Sequence, residues 1–95
     1  MTTQPFPSVW DAIENTPAEA ENMRLRSMLL MHLVDAIHEG GMTQAQAAKS
    51  LGVTQPRISD LMRGRIDLFA LDSLVNMTAA LGLHIGLTIS KPQAA

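Results

Sequence analysis

Residues Gln44–Arg63 read QAQAAKSLGVTQPRISDLMR, and the spacing within this stretch decides the architecture. Thr43-Gln44-Ala45-Gln46 is a capping box, in which a threonine and a glutamine three positions later satisfy each other's backbone N–H groups, so a helix opens at Gln44. Gly52 ends that helix after Leu51, because glycine takes the positive φ that a tight corner requires. Thr54 then caps a second helix, with Pro56 in the first turn, where its missing N–H breaks no helical bond, and with its end at Gly64. Ala48 is small enough for the second helix to cross close to it. Ala47, Leu51, Val53, Ile58 and Leu61 supply the apolar inner faces of the pair.

Upstream, Thr16-Pro17-Ala18-Glu19 is another capping box with proline at the first helical position, opening a helix that runs to about Glu39 before Gly40-Gly41. Its apolar residues, from Leu25 to Ile37, form a wide stripe that can bury one side in the domain and offer the other to a neighbour. A short helix over 9–14 precedes it, capped by Ser8, and the proline-bearing residues 1–7 read as a tail. Downstream, Leu71, Leu74, Val75 and Leu81 repeat at helical spacing over about 70–81, with Gly82 as the stop. The period then changes to two. Leu83, Ile85, Leu87 and Ile89 alternate with His84, Gly86, Thr88 and Ser90, which predicts a β-strand over 83–90 followed by a tail over 91–95. A lone strand cannot satisfy its own ladder, so this one is expected to pair antiparallel with its copy in a homodimer, its four aliphatic residues lying on the helices. Pairing with the N-terminal tail, or a frayed end, are the alternatives. The fold class is therefore mainly α: a compact bundle of about five helices within one domain over 8–90, plus one C-terminal strand.

Composition agrees. Ninety-five residues suit one domain, and 3% aromatic content with seven methionines suits helix packing better than a β-sandwich. With no cysteine there is no disulfide framework, cysteine-bearing zinc site or thiol nucleophile. The opening MTTQPFPSVW has no basic or apolar signal pattern and no stretch is long and apolar enough to span a membrane, so a cytoplasmic chain without membrane contact is expected. The net charge of −2 hides an uneven distribution. Residues 1–40 carry Arg24 and Arg26 against Asp11, Glu14, Glu19, Glu21, Asp35 and Glu39, whereas residues 43–66 carry Lys49, Arg57, Arg63 and Arg65 against Asp60 alone. A basic island marks the two-helix corner.

This corner resembles that of the lambda-repressor-like (XRE-type) helix-turn-helix proteins, over roughly residues 25–82, with the motif at 44–63. The longer run MTQAQAAKSLGVTQPRISDLMRGRIDLFALDSLVNMTAALGL is similar to HigA-like antitoxins and their stand-alone relatives. The resemblance implies a dimeric, sequence-specific repressor that binds a double-stranded DNA operator, autoregulates its operon and neutralises a small basic mRNA-endonuclease toxin. A stand-alone regulator without a toxin, or a non-DNA-binding interaction module, would carry much the same sequence.

On that reading the N-terminal residues of the second helix enter the major groove first. Gln55 and Arg57 are then the leading base readers, with Ser59 and Asp60 next, because Gln pairs with adenine and Arg with guanine edges. Asp60 could instead orient Arg57 or Arg63, and Pro56 offers an apolar contact where related repressors often carry a polar reader. Thr43, Gln44 and Thr54 sit at helix amino ends that favour a phosphate oxygen, or act simply as caps. Lys49, Arg63 and Arg65 are candidate phosphate contacts, or solvated surface charges. The toxin-facing surface is expected around Trp10, Asp11, Ile13 and Glu14, where acidic charge would meet a basic partner. A solvated acidic helix is the alternative. His32, His38 and His84 lack a convergent ligand set for a metal, and no catalytic constellation stands out, so neither a cofactor nor an enzyme activity is expected.

Overall fold

The computed structural model describes residues 16–92. It contains α1 (Pro17–Glu39), α2 (Gln44–Leu51), α3 (Gln55–Met62), a single 3-10 turn (Ile66–Leu68) and α4 (Leu71–Ala80). Of the five expected helices, the one over 9–14 lies outside the described residues, as do the tail over 1–7 and the proposed toxin-facing Trp10, Asp11, Ile13 and Glu14.

Local chemistry sets the boundaries. Thr16 accepts the Glu19 backbone N–H on its Oγ1 at 3.1 Å, with Pro17 opening α1. In α2 both halves of the capping box form, and Gly52 closes the helix in the left-handed region at φ 72°. The end of α3 falls slightly earlier than its sequence suggests, at Met62 with Arg63 as cap, and Gly64 turns the chain at φ 74°. α4 begins after Ala70 without a side-chain cap. No described helix is long and apolar enough to cross a membrane.

The core is a single cluster in which α1 lies chiefly on α4, and α2 packs on α3. From α1 come Leu30, Leu33 and Ile37; from α2, Ala47, Ala48 and Leu51; from α3, Ile58 and Leu61; from α4, Leu74 and Met77. Each fully buried Leu or Ile contributes on the order of 1.5–3 kcal/mol by leaving water. Phe69, 1% exposed, plugs the cluster from the connector between α3 and α4. Among the described residues the one buried polar side chain is Thr78, whose hydroxyl donates to the Leu74 carbonyl at 2.8 Å, within its own helix.

The C-terminal segment departs from expectation. Residues 83–90 form no strand, because the ladder partner that a strand requires is absent from the described part of one copy. Leu83 donates its backbone N–H to Thr78 O at 3.1 Å, closing the end of α4, and from His84 to Pro92 the backbone makes no hydrogen bond to any described residue. The expected packing of alternate residues on the helices is met only in part. Leu83, Ile85 and Leu87 line a groove of about 340 Å³ with Leu25, Met28, Leu29 and His32 of α1, but Leu87 keeps 74% of its surface exposed there and Ile89 stands 86% exposed.

Candidate nucleic-acid interface

The α2–α3 corner has the construction its sequence specifies. Ala47, Ile58 and Leu61 are wholly buried, Ala48 and Leu51 nearly so, and Val53 packs against the cluster. The inner edge of α3 is thereby fixed on α2. Its opposite edge is open: Gln55 and Pro56 are exposed at the amino end and Arg63 at the carboxyl end, with Ser59 and Asp60 half-buried between them. Asp60 is thus less outward than its helical position suggests. It pairs with neither Arg57 nor Arg63; its backbone carbonyl instead accepts the Arg65 N–H at 3.0 Å.

Two helix amino ends flank this edge, and they are not equivalent. At α2, Thr43 Oγ1 accepts from Gln46 N–H at 3.1 Å while Gln46 Oε1 accepts from Thr43 N–H at 2.9 Å, which leaves the Gln44 and Ala45 N–H groups facing outward. At α3, Thr54 Oγ1 accepts from Arg57 N–H at 3.3 Å, and Pro56 has no N–H, so only that of Gln55 remains. The positive end of the α2 dipole therefore offers an anion more donors than that of α3. The Thr43 and Thr54 hydroxyls are engaged as caps. Lys49, Arg63 and Arg65 are exposed, and none has a described carboxylate within ion-pair distance. Arg63 borders a shallow groove with Asp35 of α1 without pairing to it.

Arg57 behaves differently from the other cations. Its guanidinium carbon lies 4.2 Å from the centroid of the Phe69 ring, and Nη1–H donates to Leu68 O at 2.8 Å. Sequence reasoning missed this contact, along with the part played by Arg26 of α1, whose Nη1–H points at the carbonyls of Ile66 and Phe69, each at 3.4 Å. One available signal was the rarity of aromatic residues. A phenylalanine four residues beyond the last arginine of the basic island is conspicuous in a chain with so few rings.

A helix-turn-helix domain family model matches residues 12–90. The chain belongs to this helix-turn-helix domain family. A solved structure named as a member of the XRE family of transcriptional regulators is 29% identical, with a TM-score of 0.73 over 81% of this chain and 90% of that one. No curated protein matches. In a helix-turn-helix domain the second helix of the pair is the one presented to a groove. Here that helix is α3, with Gln55 and Pro56 leading.

Proposed function

We propose that the chain is a sequence-specific DNA-binding transcriptional repressor that works as a homodimer and serves as the antitoxin of a toxin–antitoxin pair. The observation that carries the DNA-binding reading is the exposed amino-terminal edge of α3, held from behind by the buried Ile58 and Leu61. Gln55 and Ser59 are placed to meet base edges, Pro56 to touch a thymine methyl, and Asp60 to accept from cytosine. Lys49, Arg63 and Arg65, with the free N–H groups of Gln44 and Ala45, serve phosphates, and Thr43 and Thr54 keep those helix ends in shape. Three such cations per copy give weak, salt-sensitive binding, which two half-sites about one DNA turn apart would strengthen.

The homodimer is supported by the C-terminal segment, where Leu83, Ile85, Leu87 and Ile89 alternate along a backbone that from His84 onward has no described hydrogen-bond partner. Beside it, Met28 of α1 is exposed. An antiparallel pair of these segments about a two-fold axis would satisfy the backbone and cover both apolar surfaces. The antitoxin role rests on the resemblance to HigA-like chains and on the acidic start of α1, where Glu19 and Glu21 are exposed. The stand-alone regulator shares every DNA-facing feature and differs only in lacking a neighbouring gene for a small basic protein.

The deciding experiment is a gel-shift titration on the DNA upstream of the gene at two salt concentrations. Specific retention of one palindromic site, weakening steeply with salt, is the expected result; equal retention of unrelated DNA would remove the repressor reading. Substituting Lys49, Arg63 or Arg65 by Gln is expected to lower the slope of log K against log salt by about one each.

A further inference from the structure

The connector between α3 and α4 is gripped from two sides by arginines. From α1, Arg26 aims Nη1–H at Ile66 O and Phe69 O, while its Nε–H donates to Asn22 Oδ1 at 2.6 Å and so holds the side chain upright. From α3, Arg57 donates to Leu68 O and lays its guanidinium over Phe69. Arg57 thus joins three parts of the domain: its backbone N–H closes the α3 cap on Thr54, its side chain closes the connector, and the ring beneath it is part of the core.

We propose that Arg57 is a positioning residue for the DNA-facing edge, fixing α3 against the connector so that Gln55 and Pro56 are presented in one pose, and that it does not itself read a base or neutralise a phosphate. This deepens the DNA-binding reading above and rests on it. A guanidinium that reached for guanine would have to leave both the Phe69 face and a short charge-assisted bond to a carbonyl, and Phe69 is too deeply buried to follow it. The bond and the stack use the planar fork together, so an ammonium in its place keeps the charge and loses the geometry. Phosphates do not need it either, because Lys49, Arg63 and Arg65 are exposed.

The test compares wild type with Arg57→Lys, Arg57→Met and, as a contrast, Arg65→Gln, each checked by circular dichroism for the wild-type helical content. Operator affinity is measured across salt concentrations and against single-base variants of the site. Amide hydrogen exchange is followed in the DNA-free protein. The expected result for both Arg57 variants is faster exchange at the Leu68 and Phe69 amides. Operator affinity should fall roughly tenfold, the scale of one charge-assisted hydrogen bond with a cation–π contact. The salt slope and the ranking of operator variants should stay as in wild type. Arg65→Gln should do the reverse, lowering the slope and leaving exchange untouched. A salt slope lowered by about one in Arg57→Met, or discrimination lost at a single base pair, would overturn the proposal by placing Arg57 on the DNA. If wild type binds no specific site, the functional reading fails on its own, and unchanged amide exchange in the variants would separately overturn the hold of Arg57 on the connector.

Discussion

Thr43 and Gln46 cap each other: the Gln46 N–H donates to Thr43 Oγ1 at 3.1 Å and the Thr43 N–H donates to Gln46 Oε1 at 2.9 Å. The pair ties down the start of α2, the first of the two helices of the corner, at a turn whose own side chains are exposed. Thr43→Ala removes a cap of a kind worth about 1 kcal/mol, and Gln46→Ala a smaller share. Because the two bonds are reciprocal, the double variant should lose less than the sum of the singles, as urea unfolding of all four proteins would reveal.

Gly52 is the next test of the corner. With φ at 72° and no atom within 4 Å of where a Cβ would stand, the position rejects side chains through backbone strain alone, not through crowding. Gly52→Ala is expected to cost about 1–2 kcal/mol, seen as a drop in Tm of roughly 4–8 °C per kcal/mol. Gly52→Asn should lose less, since asparagine visits the left-handed region more readily. Equal losses would point to a steric origin instead.

At the surface, Arg24 grips both oxygens of Glu21 at 3.2 and 2.6 Å. Its hydrogen bonds hold the Glu21 carboxyl below the usual glutamate pKa, and the same contact raises that of Arg24. A carboxyl whose folded pKa is depressed adds stability above its unfolded pKa and loses it as pH falls through the lowered folded value. Both groups are exposed, so the contribution is small and screened by salt. Titration followed by NMR should show Glu21 ionising below the ordinary range and returning toward it in Arg24→Gln, with Tm almost unchanged.

The C-terminal segment separates folding from association. Leu87 and Ile89 keep most of their surface exposed within one copy, so Leu87→Lys and Ile89→Lys should leave the thermal melt of the monomer nearly intact. Sedimentation velocity is where they should act, shifting the chain toward monomer by placing like charges opposite each other across the pair. A sedimentation profile equal to that of wild type would exclude self-pairing through this segment.

Capping and corner chemistry were legible in the sequence because they act over three or four residues. Thr16, Thr43, Thr54 and Gly52 all take the roles their neighbours dictate. The exposed edge of α3 followed from the helical period once Ile58 and Leu61 were set inward. What escaped were contacts between residues distant in the chain. The bond from Arg26 to Phe69 O spans 43 positions, and that from Arg57 to Leu68 O spans 11, beyond any periodic pattern. Asp60, expected to face outward, is half-buried instead, a difference that helical phase alone does not resolve. The alternation that predicts a strand is present in the chain, but alternation specifies two faces and not the partner that completes a ladder.

Thr78 satisfies its hydroxyl on Leu74, one turn back in the same helix, and no other described polar side chain is buried. The elements of the described interior therefore meet through apolar shape, the Phe69 ring included, without a directional bond between buried side chains that would have to survive when either surface changes. Such an interior can be rebuilt by exchanges among Leu, Ile, Val and Met that conserve volume. Exchanges of that kind leave the backbone in place, and with it the corner that the domain presents outward.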